Sequence, residues 1–133
     1  MDIAAVMDEV AAQLATIADL NVTAHWRGSP NPPEAIVSLP RGDFDAAYAR
    51  GMDRWELPVI LVLGKVSERS ARDAASPYVS GSGAKSFKAV LEAGTYTELD
   101  SLRVQDFEFD VVTFAAVDYL TVTFILDIAG QGA

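Results

Sequence analysis

The most apolar stretch of the chain covers residues 55–66 (WELPVILVLGKV), and residues 59–63 at its centre include no polar side chain. A short β-branched run between Pro58 and Gly64 is typical of a strand that is buried on both faces. It is too short to cross a bilayer as a helix, which takes about 20 apolar residues. We therefore interpret this stretch as the strand that the amphipathic segments on either side of it cover.

A repeat of apolar residues at three- and four-residue spacing precedes this strand and predicts a helix over residues 2–18. Asp2 is placed to accept the free N–H groups of the first turn. We expect the apolar face of the helix to pack on the sheet. That face consists of Ile3, Val6, Met7, Val10, Leu14 and Ile17.

Two short strands and a hairpin are expected between this helix and the apolar strand. Consecutive prolines exclude a helix from the loop that separates the two short strands. The strands are assigned to residues 20–26 and 34–39, the loops to 28–33 and 41–45, and the hairpin to residues 46–50, which connect through 51–54 to the apolar strand.

The middle of the chain is predicted to be helical. Residues 67–79 are rich in alanine and charge, and Pro77 indicates that this helix kinks or ends near Ala75. A Ser-Gly-Ser-Gly joint separates it from a further helix at residues 84–92, which stops at Gly94.

The last third of the chain alternates between apolar and polar residues, which predicts strands. The alternation slips by one residue near Gln105 and Asp106, and a β-bulge is expected there. A turn at residues 115–118 leads into a strand at 120–128, and residues 130–133 are expected to be a loose end. The pattern as a whole predicts an α+β fold, in which an N-terminal helix and a central helical segment pack on one face of a mostly antiparallel sheet.

Length and composition narrow the function classes. With 133 residues, the chain is expected to form one domain over residues 1–133. The chain has no cysteine, which excludes disulfides and thiolate metal sites, and its acidic N-terminal segment does not resemble an export signal. A net charge of −9 argues against tight binding to a phosphate backbone. We expect the protein to be made and kept in the cytosol, without contact with a membrane.

Candidate chemistry along the chain is sparse. His25 is the single histidine and has no orienting partner in the sequence, and residues 81–86 (GSGAKS) lack the spacing of a phosphate-binding loop. Glu108 and Asp110 lie on one side of a predicted strand, where solvated carboxylates are common. We therefore predict no catalytic, cofactor-binding or metal-binding residues, and no enzymatic activity.

Five segments together resemble the tail terminators of long, non-contractile-tailed phages of actinobacteria, which are similar to the lambda-like tail terminators. The resemblance covers nearly the whole chain and lies in the order of the segments and in their amino-acid sequences. The segments are MDEVAAQL at residues 7–14, EAIVSLP at 34–40, YARGMDRWELPVILVLGKVSERSARD at 48–73, SGSGAKSFKAVLEAGTYT at 80–97 and FDVVTFAAVDYLTVTFILDIAG at 109–130.

This resemblance implies a homo-oligomeric ring, usually a hexamer, at the head–tail junction of the virion, assembled in the host cytoplasm. The ring would cap the tail tube, stop its polymerisation and meet the major tail tube protein on one side and the connector or stopper protein on the other. Genomic DNA would pass through the lumen without specific binding. Interface contacts are expected in the two predicted loops, at Arg41, Asp43, Asp45, Asp53 and Arg54.

Three alternatives stay open at this stage. One is another head–tail connector, stopper or tail completion protein, because neck proteins share an α+β fold. The second belongs to a different class, an enzyme or small-ligand binder with an acidic pocket, which is supported only by Glu108, Asp110 and the SGSGAKS loop at residues 80–86. A bacterial adaptor domain that stays monomeric is a third class.

Overall fold

The computed structural model describes residues 2–24, 32–43, 52–67 and 69–131, and these residues form an α+β domain. The described helices are α1 (Ile3–Leu14), α2 (Arg69–Asp73), α3 (Ala75–Val79) and α4 (Phe87–Glu92). The described strands are β1 (Asn21–Thr23), β2 (Glu34–Val37), β3 (Arg41–Asp43), β4 (Met52–Lys65), β5 (Ser101–Phe114) and β6 (Val117–Gln131).

The described strands form one mixed sheet in the order β1-β2-β4-β6-β5, and β3 pairs with β4. β1 and β2 are parallel, whereas all other pairs are antiparallel. β2 and β3 lie along the same side of β4, since β2 pairs with residues 59–62 and β3 with residues 54–56. The predicted α+β class with a mostly antiparallel sheet is confirmed.

The helices pack on one face of the sheet, which we call the helix face. Alternate residues of β4 and β6, including Leu61 and Phe124, point into a single core with Val10 of α1 and Phe87 of α4. Val62 points to the opposite face and is also fully buried. The central apolar strand is therefore buried on both faces, as its sequence predicts.

The first helix is shorter than the sequence pattern indicates. Asp2 caps it as expected, because its carboxylate accepts the Ala5 N–H at 3.0 Å. The helix ends at Leu14 instead of residue 18. Just after its end, the Thr16 hydroxyl donates to the Gln13 carbonyl at 2.7 Å, and this bond competes with the backbone hydrogen bonds that would continue the helix. Ile17 follows the helix and is still buried in the core.

The described residues of two segments that were expected to be loops, 41–45 and 51–54, are in strands, which corrects the prediction for residues 41–43 and 52–54. Residues 41–43 form β3, and β4 already begins at Met52. The pattern missed these strands because their residues are polar, while the hydrogen bonds of the ladder involve the backbone. The predicted hairpin partner at residues 46–50 lies outside the described residues.

The central helical segment breaks at Ala74 into α2 and α3. Pro77 therefore lies in the first turn of α3, where its missing N–H is tolerated. In the outer hairpin, the register shifts between Val104 and Asp106, which confirms the predicted bulge. The turn is confined to Ala115 and Ala116, and β6 continues to Gln131, so the prediction of a loose end was wrong for residues 130 and 131.

Candidate functional site

The sequence-predicted interface residues lie in neighbouring strands at one end of the sheet. Arg41 pairs with Glu56, and Asp43 pairs with Arg54. Asp53 belongs to the same strand as Arg54 but is buried, so little of its surface is available to a partner. Asp45 and the side chain of Asp43 lie outside the described residues.

A row of charged side chains crosses four strands at this end, on the face opposite the helices. The register places Arg41 beside Glu56, Glu56 beside Asp127 and Asp127 beside Arg103. Together with Arg54 and Gln105, these side chains line a cavity of about 330 Å³. We call Arg41, Arg54, Glu56, Arg103 and Asp127 the charged row.

Arg54 is fixed within the charged row by a two-pronged ion pair. Its Nε donates to one oxygen of Asp127 at 2.9 Å, and its terminal nitrogen donates to the other at 3.1 Å. Such an exposed pair contributes no more than about 1 kcal/mol to stability. Arg41 makes no ion pair with any residue in the described ranges. Arg41 is exposed and lies beside Glu56 in the ladder.

The second surface is a stripe of apolar side chains on β5. Phe107, Phe109 and Val111 are 48%, 45% and 48% exposed, although their partners on β6 include the buried Phe124 and Val122. They lie on the helix face, as Val104 does, because the extra residue Gln105 in the bulge compensates for the one-residue shift in the apolar–polar alternation. We call these three residues the β5 stripe.

The β5 stripe is exposed because the helices cover only the first half of the strand. α4 is six residues long and packs beside Val104, whose N–H donates to the Glu92 carboxylate at 3.0 Å. A hydrogen bond from Lys88, helped by the one from Val104, lowers the pKa of Glu92. Glu92 thus satisfies the outward N–H of Val104 at the strand edge. The β5 stripe begins at Phe107, beyond this contact.

A groove of about 390 Å³ continues from the β5 stripe towards α3. Phe107 and Phe124 line it on the sheet side, and Tyr78 and Val79 line it on the helix side. The Lys85 ammonium lies 5.9 Å from the centre of the Tyr78 ring. Burial, with a smaller contribution from the Asp19 carboxylate, raises the pKa of Tyr78. The groove thus combines aromatic and aliphatic side chains with charged ones, among them Lys88, Arg103 and Asp106.

β5 is an edge strand whose outer backbone groups point away from β6. The Val111 N–H donates to the carboxylate of its own neighbour Asp110 at 2.8 Å and so lies outside the ladder. Alternate residues of a strand direct their N–H groups to the same side, so those of Phe107 and Phe109 also point outwards. No described strand pairs with this outer edge, so a further strand can be added beside Phe107 and Phe109, whereas the Val111 N–H already has an acceptor in Asp110.

The other sequence candidates occupy ordinary structural positions or lie outside the described residues. The predicted glycine-serine joint connects α3 and α4, and the Ser86 hydroxyl caps α4 by accepting the Ala89 N–H at 3.1 Å. Glu108 and Asp110 are exposed. His25 lies outside the described ranges. Within those ranges, no group of three or more His, Asp or Glu side chains is arranged to hold a metal ion.

Comparison with known proteins adds no relative. No protein-family model matches the chain, and no curated protein matches it. None of the described helices is long and apolar enough to span a lipid bilayer. The arrangement of the described surfaces is thus the basis for a functional proposal, together with the sequence resemblance.

Proposed function

We propose that the protein is a structural subunit of a phage virion, the tail terminator that closes the head-proximal end of a long, non-contractile tail. Copies of the chain form a ring, a hexamer by the resemblance to actinobacteriophage terminators. The ring stops polymerisation of the tail tube protein and offers a surface to the connector or stopper protein. It assembles in the host cytoplasm and stays at the head–tail junction.

The β5 stripe is the observation that carries this proposal. Three large apolar side chains in a row, each about half exposed on an edge strand, favour association, because exposed apolar patches commonly mark interaction sites. A subunit that docks against copies of itself would cover both the side chains and the open backbone edge. The exposed surface thus supports a role in assembly.

The charge of the chain fits the passage of DNA through such a ring. With a net charge of −9, a ring built from this chain would be strongly acidic. An acidic lumen repels the phosphate backbone and lets DNA slide without specific binding. Arg41 and Arg54 lie on an outward surface of the sheet, and we propose that they contact a protein neighbour.

Electron microscopy of virions tests the proposal directly. An antibody against the chain, coupled to gold particles, is expected to label one position per particle, at the junction of head and tail. In an infection by a phage that carries a nonsense mutation in this gene, tails are expected to grow beyond their normal length. Label repeated along the tube, or tails of normal length joined to heads, would contradict the terminator role.

The same experiment separates the closest alternative. A stopper or completion protein would also label the junction, but its loss leaves tails of normal length that fail to join heads. Tail length in the mutant lysate therefore distinguishes the two neck roles.

A further inference from the structure

The sheet has two edges of different character, and they lie on opposite sides of β4. On one side, β6 and then β5 complete the sheet. On the other side, β3 pairs with β4, and no other described strand pairs with β3. Among the described strands, β5 and β3 are thus both edges to which a strand from another molecule can be added.

The outer half of β5 carries a different chemistry on each of its faces. The β5 stripe lies on the helix face, and the alternating residues Glu108 and Asp110 point to the opposite face. Two β5 strands paired with one another would bring these carboxylates together. Like charges opposite one another on neighbouring strands are destabilising. The charge pattern therefore disfavours a two-fold contact of β5 with itself.

The β3 edge has the complementary chemistry. Arg41 lies on the polar face beside Glu56, and Gly42 lies beside the half-buried Trp55 on the helix face. The Trp55 indole packs directly against Gly42. A side chain at this position would place its Cβ atom 2.7 Å from the Trp55 Nε1, which is too close. Leu39, which precedes β3, is 69% exposed. Arg41 is thus a cation on the polar face of this edge, where the register also places Asp43, and the Trp55 ring is apolar surface on the helix face.

We propose that the β5 edge of one copy adds to the β3 edge of the next copy. The β5 stripe then packs against Leu39 and the Trp55 ring, and the carboxylates of Glu108 and Asp110 face Arg41. β1, at the same side of the sheet as β3, offers Asn21, Val22 and Thr23 and no cation, so charge complementarity selects β3.

The contact is heterologous, because it joins two different surfaces of the same chain. Repetition of such a contact produces a ring when the rotation closes and a filament when it does not. Phe109 lies at the level of Leu61, whereas β3 pairs with residues 54–56, so the two edges are offset along the strands. Closing a ring across offset edges requires the strands to tilt relative to the ring axis.

Cysteine cross-linking tests this contact with little background, since the chain has no native cysteine. Leu39→Cys and Phe109→Cys are made in separate full-length chains that carry tags of different size. The chains are mixed at high concentration and oxidised with copper phenanthroline. The expected product is the mixed dimer, whereas each chain alone stays monomeric on a non-reducing gel. A chain that carries both substitutions is expected to form a ladder of oligomers.

Charge reversal provides the second arm. Arg41→Glu is expected to slow the mixed cross-link about fivefold, in line with the energies of cross-strand charge pairs, and Asp110→Arg in the partner chain is expected to restore it. Arg69→Glu is the matched control, because Arg69 is highly exposed on α2, away from both edges. Circular dichroism verifies that each variant is folded.

Each outcome decides the inference. A Phe109→Cys homodimer that forms faster than the mixed dimer overturns it in favour of a two-fold contact. Absence of any cross-link between folded chains also overturns it and assigns the stripe to a different protein.

The inference rests on the proposed ring, but the two fail separately. A cross-link with no label at the tail end contradicts only the terminator role, and label without the cross-link contradicts only this contact.

Discussion

Ala115 and Ala116 close the β5–β6 hairpin in a backbone conformation that costs alanine energy. Their φ angles are +48° and +66°, which is the left-handed region of a type I′ turn. Each such residue costs an L-amino acid with a Cβ roughly 1–2 kcal/mol. Asn-Gly is the preferred pair in this turn.

We therefore expect the double substitution Ala115→Asn and Ala116→Gly to stabilise the protein by about 1–2 kcal/mol, measured by urea unfolding. Ala12→Gly is the control of opposite sign, because Ala12 is exposed within α1 and glycine there costs about 1 kcal/mol. A loss of stability in the double variant would show that the turn has a different backbone conformation.

Tyr96 is the residue at which alkaline pH is expected to act. Its hydroxyl donates to the Leu91 carbonyl at 2.6 Å. Burial, aided by the Glu9 carboxylate, raises the pKa of Tyr96 from 10.0 to about 12. The folded-state pKa lies above the unfolded one, so the stabilisation by the neutral hydroxyl is complete below pH 10.0 and is lost as the pH rises to about 12.

The Tyr96→Phe variant has no such group to ionise. We expect its melting temperature to fall less than that of the wild type between about pH 9 and about pH 11, although its stability at neutral pH is lower because the hydrogen bond is missing. Parallel loss of melting temperature in both proteins would assign the alkaline sensitivity to another group.

At the scale of elements, α1 is held to the sheet by its buried face. Val10 has no exposed surface and lies in the core. We expect Val10→Asp to unfold or aggregate the protein, because it buries a charge without a partner, and such changes reach about 3–5 kcal/mol. Ala12→Asp, on the exposed side of the same helix, controls for the loss of helix propensity. An unchanged melting temperature in Val10→Asp would remove this face from the core.

The bulge of β5 gives a prediction about chain length. Val104 and Asp106 pair with the consecutive residues Leu126 and Ile125, so removal of Gln105 leaves a regular ladder with the same faces. We expect the protein without Gln105 to stay folded and to unfold cooperatively on heating. Removal of Glu108 is the control, because no bulge absorbs it and the later side chains exchange faces. Unfolding after the loss of Gln105 would show that the bulge itself is needed.

The sequence predicts elements well where their apolar residues are periodic, and poorly where hydrogen bonds of the backbone decide. β6 and the bulge follow from the alternation of large apolar side chains, and the centre of β4 follows from its uninterrupted apolar run. β3 and the start of β4 are polar, so nothing in their side chains distinguishes a strand from a loop. The end of α1 depends on a local hydrogen bond of Thr16, which helix periodicity does not include.

The surfaces could be predicted only in part. Arg41 and Arg54 were expected as interface residues in two separate loops, and the register brings both into the charged row with Arg103 and Asp127. Arg103 and Asp127 belong to strands that are far from Arg41 and Arg54 in the sequence. Sequence spacing does not predict the register between those strands. Exposure of the β5 stripe was not expected. The structure explains it, since α4 has six residues, fewer than the helix predicted over residues 84–92, and cannot cover a strand of 14 residues.

At the scale of the whole molecule, the β5 stripe is expected to control association and to contribute little to folding. We expect replacement of Phe107, Phe109 and Val111 by serine to keep the chain monomeric at concentrations where the wild type associates, measured by sedimentation velocity. Ile3→Ser is the matched control, because Ile3 is also 48% exposed but belongs to α1. Equal association of wild type and triple variant would assign self-contact to another surface.

The length of the three longest strands also determines how the protein moves in solution. β4, β5 and β6 contain 14, 14 and 15 residues, and at about 3.3 Å per residue each extends about 45 Å. A sphere with the radius of gyration expected for a compact chain of this size is roughly 36 Å across. The particle is therefore elongated along its strands, so its tumbling is anisotropic and its frictional coefficient exceeds that of a sphere of equal mass.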